Sequence, residues 1–148
     1  MRTGIQKIVR PSPAQVGGEQ YGLIVGHDRQ FIDYYRRALH ALGFTTMIVS
    51  THEAALSRLR LLVFDLVVLD ETKGASQCRF LLEHSRKLQP APPVLVVTRG
   101  DERELDADVL QAGAVDYVKD PASPSEIARK LGGECLKRHV LHGGGENS

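Results

Sequence analysis

Leu66-Val67-Val68-Leu69, closed by Asp70, decides the fold of this chain. Four apolar residues without a polar break do not suit a strand with one wet face, which would alternate. They suit a central parallel strand covered on both faces, with a carboxylate delivered at its C-terminal end.

The flanking sequence repeats the same unit. Upstream, Gly22-Leu23-Ile24-Val25 reads as a short buried strand. From Asp28 to Leu42, Phe31, Tyr35, Leu39 and Leu42 recur at helical spacing, and Gly43 stands where a C-terminal cap belongs. Phe44 to Val49 is rich in β-branched residues and predicts a second strand. Ser50, with Glu53 three residues on, predicts a capping box at the next helix. Downstream, Ser76 to Gln89 reads as a helix with Phe80, Leu81 and Leu82 as its apolar side, ended by Pro90, Pro92 and Pro93. Val94-Leu95-Val96-Val97 predicts a fourth strand, Arg103 to Ala112 a helix stopped at Gly113, and Val115 to Val118 a fifth strand. Ser123-Pro124-Ser125-Glu126 opens a last helix, with Pro at its first position and Glu at its third. Gly132-Gly133 inside it costs about 1 kcal/mol per Gly relative to Ala.

Alternating strands and helices predict an α/β domain: one doubly wound, five-stranded parallel sheet of order 2-1-3-4-5 with helices on both faces, flavodoxin-like. In such sheets function sits at the carboxyl ends of the strands. The residues there are Gly26-His27-Asp28, Asp70, Thr98 and Lys119-Asp120-Pro121. Residues 1–19, broken by Pro11, Pro13 and Gly17-Gly18, read as a flexible tail; 20–140 read as the domain and 141–148 as a tail or linker.

The 148 residues match one domain, 42% hydrophobic, with Lys+Arg 19 against Asp+Glu 18. A net charge of +1 gives no strong pull toward nucleic acid or anionic membranes. Arg36, Arg37, Arg58 and Arg60 read as solvated helix faces, without the aromatic interleaving of a nucleic-acid surface. Two cysteines, Cys78 and Cys135, form no Cys-x-x-Cys pair and suit a reducing, cytoplasmic setting. No apolar run approaches the roughly 20 residues of a membrane span, and Met1 to Gln20 lacks a signal-peptide core. No Walker loop, Gly-x-Gly-x-x-Gly or Gly-x-Ser-x-Gly recommends a nucleotide-binding enzyme or hydrolase.

From about Tyr21 to Leu136 the chain resembles a response-regulator receiver domain of two-component signalling. Asp65 to Asp70 resembles the third strand ending in the phosphoacceptor Asp, and Pro93 to Thr98 the fourth strand with its switch hydroxyl. Ala112 to Tyr117, followed by Pro121 and Ser123-Pro124, resembles the fifth strand and the helix start beyond it. The resemblance makes Asp70 the phosphoacceptor position, Thr98 and Tyr117 the switch residues, and the bond before Pro121 a candidate cis peptide.

It also exposes departures. Where a typical receiver carries two adjacent acids that hold Mg²⁺, this chain has Gly26 and His27; Asp28 falls one place late and suits a helix cap. The family Lys position holds Asp120, and neighbouring Lys119 points to the opposite face unless the strand slips or bulges. Phosphoryl transfer onto a carboxylate depends on neutralising converging anions. Gly offers Mg²⁺ no side chain and His is a poor ligand for it. The expectation is a degenerate pseudo-receiver that is no enzyme and needs no cofactor or metal. It would signal through protein contacts: a histidine kinase, an output domain, or a second copy. The face for such contacts in the family is helix 4, strand 5 and helix 5, here Arg103 to Ala112, Val115 to Val118 and Ser125 to Leu136. His27 is the remaining candidate cation for Asp70 or Asp120. The alternatives are a phospho-accepting receiver that uses Asp70 and Mg²⁺, and a flavodoxin-like domain for a small ligand. A transition metal on His27 with Asp28 or Asp70, and Zn²⁺ on Cys135, His139 and His142, are weaker readings.

Overall fold

The computed structural model describes residues 20–71, 76–98 and 116–131. Five strands form one parallel sheet: β1 Gln20–Val25, β2 Phe44–Val49, β3 Leu66–Asp70, β4 Val94–Thr98 and β5 Asp116–Lys119. Their order is β2-β1-β3-β4-β5, as the alternation of elements predicts. Four helices are described: α1 Arg29–Ala41, α2 His52–Leu61, α3 Ser76–Ser85 and α4 Pro124–Leu131.

The sheet divides the core in two because alternate side chains of a strand point to opposite faces. Leu23, Val25, Val67, Leu69, Val94 and Val96 meet Ala55, Leu56 and Leu59 of α2 and Cys78, Leu81 and Leu82 of α3. On the other face, Ile24, Leu66, Val68, Leu95, Val97 and Val118 meet Phe31, Tyr35, Ala38 and Leu39 of α1 and Ile127 and Leu131 of α4. β3 contributes to both clusters, so its unbroken apolar run follows from its central place.

Helix ends obey local chemistry. The Asp28 carboxylate accepts from the Gln30 amide and caps α1. Gly43 turns the chain out of α1 at φ 95°, a conformation that suits a residue without Cβ. The Ser123 hydroxyl accepts from the Glu126 amide at 3.1 Å, as the Ser-Pro-x-Glu pattern predicts.

Four expectations need correction. The cap of α2 is Thr51, whose hydroxyl accepts from the Ala54 amide at 3.0 Å; Ser50 lies outside, so the capping box with Glu53 does not form. α3 ends at Ser85, short of the expected Gln89. The Ser85 hydroxyl bonds the Leu82 carbonyl, and Lys87 and Leu88 close onto carbonyls three residues back, which tightens the chain into turns before Pro90. Phe80 is 44% exposed and packs its ring against His84. The buried spacing is Cys78, Leu81, Leu82 and Ser85, and Phe80 lies off that face. β1 also begins two residues early, where the Asp65 carboxylate accepts from the Tyr21 amide at 2.8 Å. The helix expected at 103–112, Gly113, Val115, Gly132-Gly133, Cys135, His139, His142 and both terminal tails lie outside the described residues.

Candidate functional site

Parallel pairing brings the predicted residues to one end of the sheet. Val25 stands opposite Leu69, Asp70 opposite Val97, and Thr98 opposite Lys119. Asp70 closes β3 and is half-buried. Thr98 closes β4, only 1% exposed, and its hydroxyl donates to the Val118 carbonyl at 3.4 Å.

Gly26 is buried, its amide donating to the Val49 carbonyl at 3.0 Å. A Cβ placed on it would sit 3.2 Å from the Asp70 Cβ and 3.2 Å from Cδ1 of Phe31. The Asp70 side chain and the Phe31 ring therefore crowd the direction in which an acid would point. His27 is exposed, and Asp28 is engaged as the α1 cap. Among the described residues, no three His, Cys, Asp or Glu side chains are grouped so as to hold a metal ion. Mg²⁺ takes carboxylate oxygens in near-ideal octahedral geometry, and neither Gly26 nor the exposed His27 supplies one.

The loop after β5 carries the second departure. Asp120 precedes Pro121 through a cis peptide bond. The Asp120 amide donates to the Thr98 carbonyl at 2.8 Å, and its carboxylate accepts from the Tyr35 hydroxyl at 2.7 Å. That hydroxyl in turn accepts from the Ala122 amide at 3.1 Å. Burial first, and the bond to Asp120 second, raise the Tyr35 phenol above its ordinary range. The β4–β5 register is unbroken from Leu95–Asp116 to Thr98–Lys119, and the Lys119 side chain is exposed. The half-buried Tyr117 packs against the α2–α3 cluster. Lys130 of α4 lies 5.3 Å from its ring centroid and 3.7 Å from the Asp116 carboxylate.

Sequence reasoning missed two groups. Tyr35 occupies an apolar position at helical spacing, yet a buried tyrosine needs a partner for its hydroxyl, and that requirement is the signal the sequence offers. Its neighbour Tyr34 donates to the Ala122 carbonyl at 2.8 Å. The second is Glu71, 2% exposed directly after Asp70. Burial, and then the Glu71 carboxylate, push the Cys78 thiol well above the usual range.

Comparison with known proteins agrees with this architecture. The sequence profile described as "Response regulator receiver domain" matches residues 23–132. The transcriptional regulatory protein ZraR of Escherichia coli O157:H7 is 26% identical over 119 residues, 80% of this chain and 27% of that protein. The alginate biosynthesis transcriptional regulatory protein AlgB of Pseudomonas aeruginosa is 30% identical over 105 residues, 71% of this chain and 23% of that one. The chain thus spans about a quarter of the length of these curated relatives. Among solved structures, a CheY-like receiver domain protein from Methanospirillum hungatei superimposes with a TM-score of 0.69 at 24% identity, covering 83% of this chain and 98% of that one. A response regulator from Burkholderia pseudomallei, solved with a phosphorylated aspartic acid, calcium and citrate, superimposes with a TM-score of 0.68 at 20% identity, covering 88% and 76%. With the profile spanning most of the chain and the strand order that of its fold neighbours, this protein belongs to the response regulator receiver domain family of two-component signalling.

Proposed function

We propose that this chain is a pseudo-receiver: it signals through protein–protein contacts and does not depend on Mg²⁺-assisted phosphorylation of Asp70. The observation that carries this reading is the environment of Gly26, where the Asp70 Cβ and the Phe31 ring would each lie 3.2 Å from an added Cβ. The change of the family Lys to Asp120 supports it, because a positive charge is lost and a negative one gained at that position. Removing one preorganised stabiliser of developing charge typically costs about 3 kcal/mol of barrier, and here both acids and the Lys are absent from their positions.

On this reading the domain is not an enzyme and needs no cofactor. It works in the cytoplasm, as an interaction module of about residues 20–140 between a tail at 1–19 and a tail or linker at 141–148. Its partners are a histidine kinase, an output domain or a second copy, met through the face that includes β5 and α4. The relatives, of which this chain spans about a quarter, support an output domain as a partner, and the balanced charge supports no direct role for this domain on nucleic acid. No helix among the described residues is long and apolar enough to cross a membrane.

The test is intact-mass analysis after acetyl phosphate and Mg²⁺, beside Asp70→Asn. The wild type should gain no phosphate. A gain that Asp70→Asn abolishes would establish a phospho-accepting receiver instead. A thermal-shift screen against small ligands addresses the flavodoxin-like alternative: a saturable stabilisation by a ligand that fills the strand-end crevice would favour it.

A further inference from the structure

We propose that Tyr34 and Tyr35 of α1 form a latch on Asp120 and Ala122 that holds the loop between β5 and α4 in one conformation, whatever the state of Asp70. The loop has four anchors. The Tyr35 hydroxyl donates to the Asp120 carboxylate and accepts from the Ala122 amide. The Tyr34 hydroxyl donates to the Ala122 carbonyl, and the Asp120 amide donates to the Thr98 carbonyl. Both backbone polar atoms of Ala122 are thus bonded to tyrosines of one helix.

The anchors sit where loss of a partner is costly. Tyr35 and Ala122 are fully buried, and unmaking a hydrogen bond there strands a donor or acceptor away from water. The bond to Asp120 is short and ends on a carboxylate, the stronger kind. The rings are themselves fixed. Phe31 packs against Tyr35 at a tilt with centroids 4.5 Å apart, and Tyr34 meets Tyr35 edge-on at 4.8 Å. Asp120 stands at the place of the family Lys, and its carboxylate is directed to helix α1. The latch therefore ties the loop to α1. Tyr35 and Asp120 act as positioning residues for β5 and the start of α4. The proposal goes beyond the pseudo-receiver reading and does not require it.

The test is amide hydrogen exchange on the full chain, read at Ala122 and at the β1 and β3 amides. Tyr35→Phe keeps the ring and removes only the hydroxyl. It should speed exchange at Ala122 about tenfold while β1 and β3 stay protected. Asp120→Ala should do the same, the pair Tyr35→Phe/Asp120→Ala should add little to either single change, and Asp120→Asn, which still accepts a hydrogen bond, should restore most of the protection. Asp70→Asn should leave Ala122 unchanged. Unaltered exchange at Ala122 in both Tyr35→Phe and Asp120→Ala overturns the latch, as does a response to Asp70→Asn as large as that to Tyr35→Phe. If Tyr35→Phe loosens the whole domain, Asp120→Ala decides: faster exchange confined to the loop upholds the latch, and any other result overturns it.

Discussion

A thiol with no exposed surface, set against a buried carboxylate, gains nothing by ionising. Cys78 is 0% exposed and its thiol is raised by burial and by Glu71, so the reactive thiolate is disfavoured. Iodoacetamide at pH 8 should leave Cys78 unlabelled in the folded protein and label it in urea, read by peptide mass; rapid labelling without denaturant would contradict the burial. Gly26 gives a second residue-scale prediction. Gly26→Ala should lower stability by about 1–3 kcal/mol, the usual cost of overpacking, because the Asp70 Cβ is anchored in β3 and the Phe31 ring closes the other side. A thermal melt checks it, and an unchanged or raised Tm would show that the neighbours yield freely. Neither environment was legible in the sequence. That Gly26 departs from the family acid was readable, but that Phe31 and Asp70 close over it depends on a contact between separate elements.

Elements were far more legible, and their ends less so. The strands at Leu66 to Asp70 and Val94 to Thr98 stood out because burial on both faces demands continuous apolar runs. The start of α4 was equally plain, since Ser123, Pro124 and Glu126 each favour the same local geometry. At α2 two hydroxyl residues stand side by side, and only backbone geometry chooses between them. Thr51→Ala should therefore cost about 1 kcal/mol, while Ser50→Ala should be nearly neutral. Urea midpoints of the two variants decide the matter, and the reverse order would return the cap to Ser50. The early end of α3 was hidden for a similar reason. Ser85 is compatible with a helix, and only its bond to the Leu82 carbonyl shows the competition with the helical ladder.

At the scale of the whole molecule, the two raised groups make a statement about alkaline stability. The fold keeps the Tyr35 phenol and the Cys78 thiol protonated beyond the pH at which an unfolded chain would release those protons. Unfolded thiols and phenols ionise near ~8.5 and ~10. Stability from these groups is therefore complete below that range and declines as pH climbs through it, since the unfolded state then sheds more protons. Denaturant midpoints should fall between pH 8 and pH 11 in the wild type, and the fall should be shallower in Tyr35→Phe and Cys78→Ala. Equal slopes in all three proteins would refute the assignment. The crowding at Gly26 also bears on how the sequence can change. Gly26→Asp meets the Asp70 Cβ and the Phe31 ring, and Asp120→Lys discards the acceptor of the Tyr35 hydroxyl. Gly26→Asp and Asp120→Lys should therefore each lower stability when made alone, which thermal melts of the two single variants check. On the pseudo-receiver reading proposed above, a return to phosphate chemistry through Gly26 and Asp120 passes through less stable intermediates, so the two changes are coupled by epistasis.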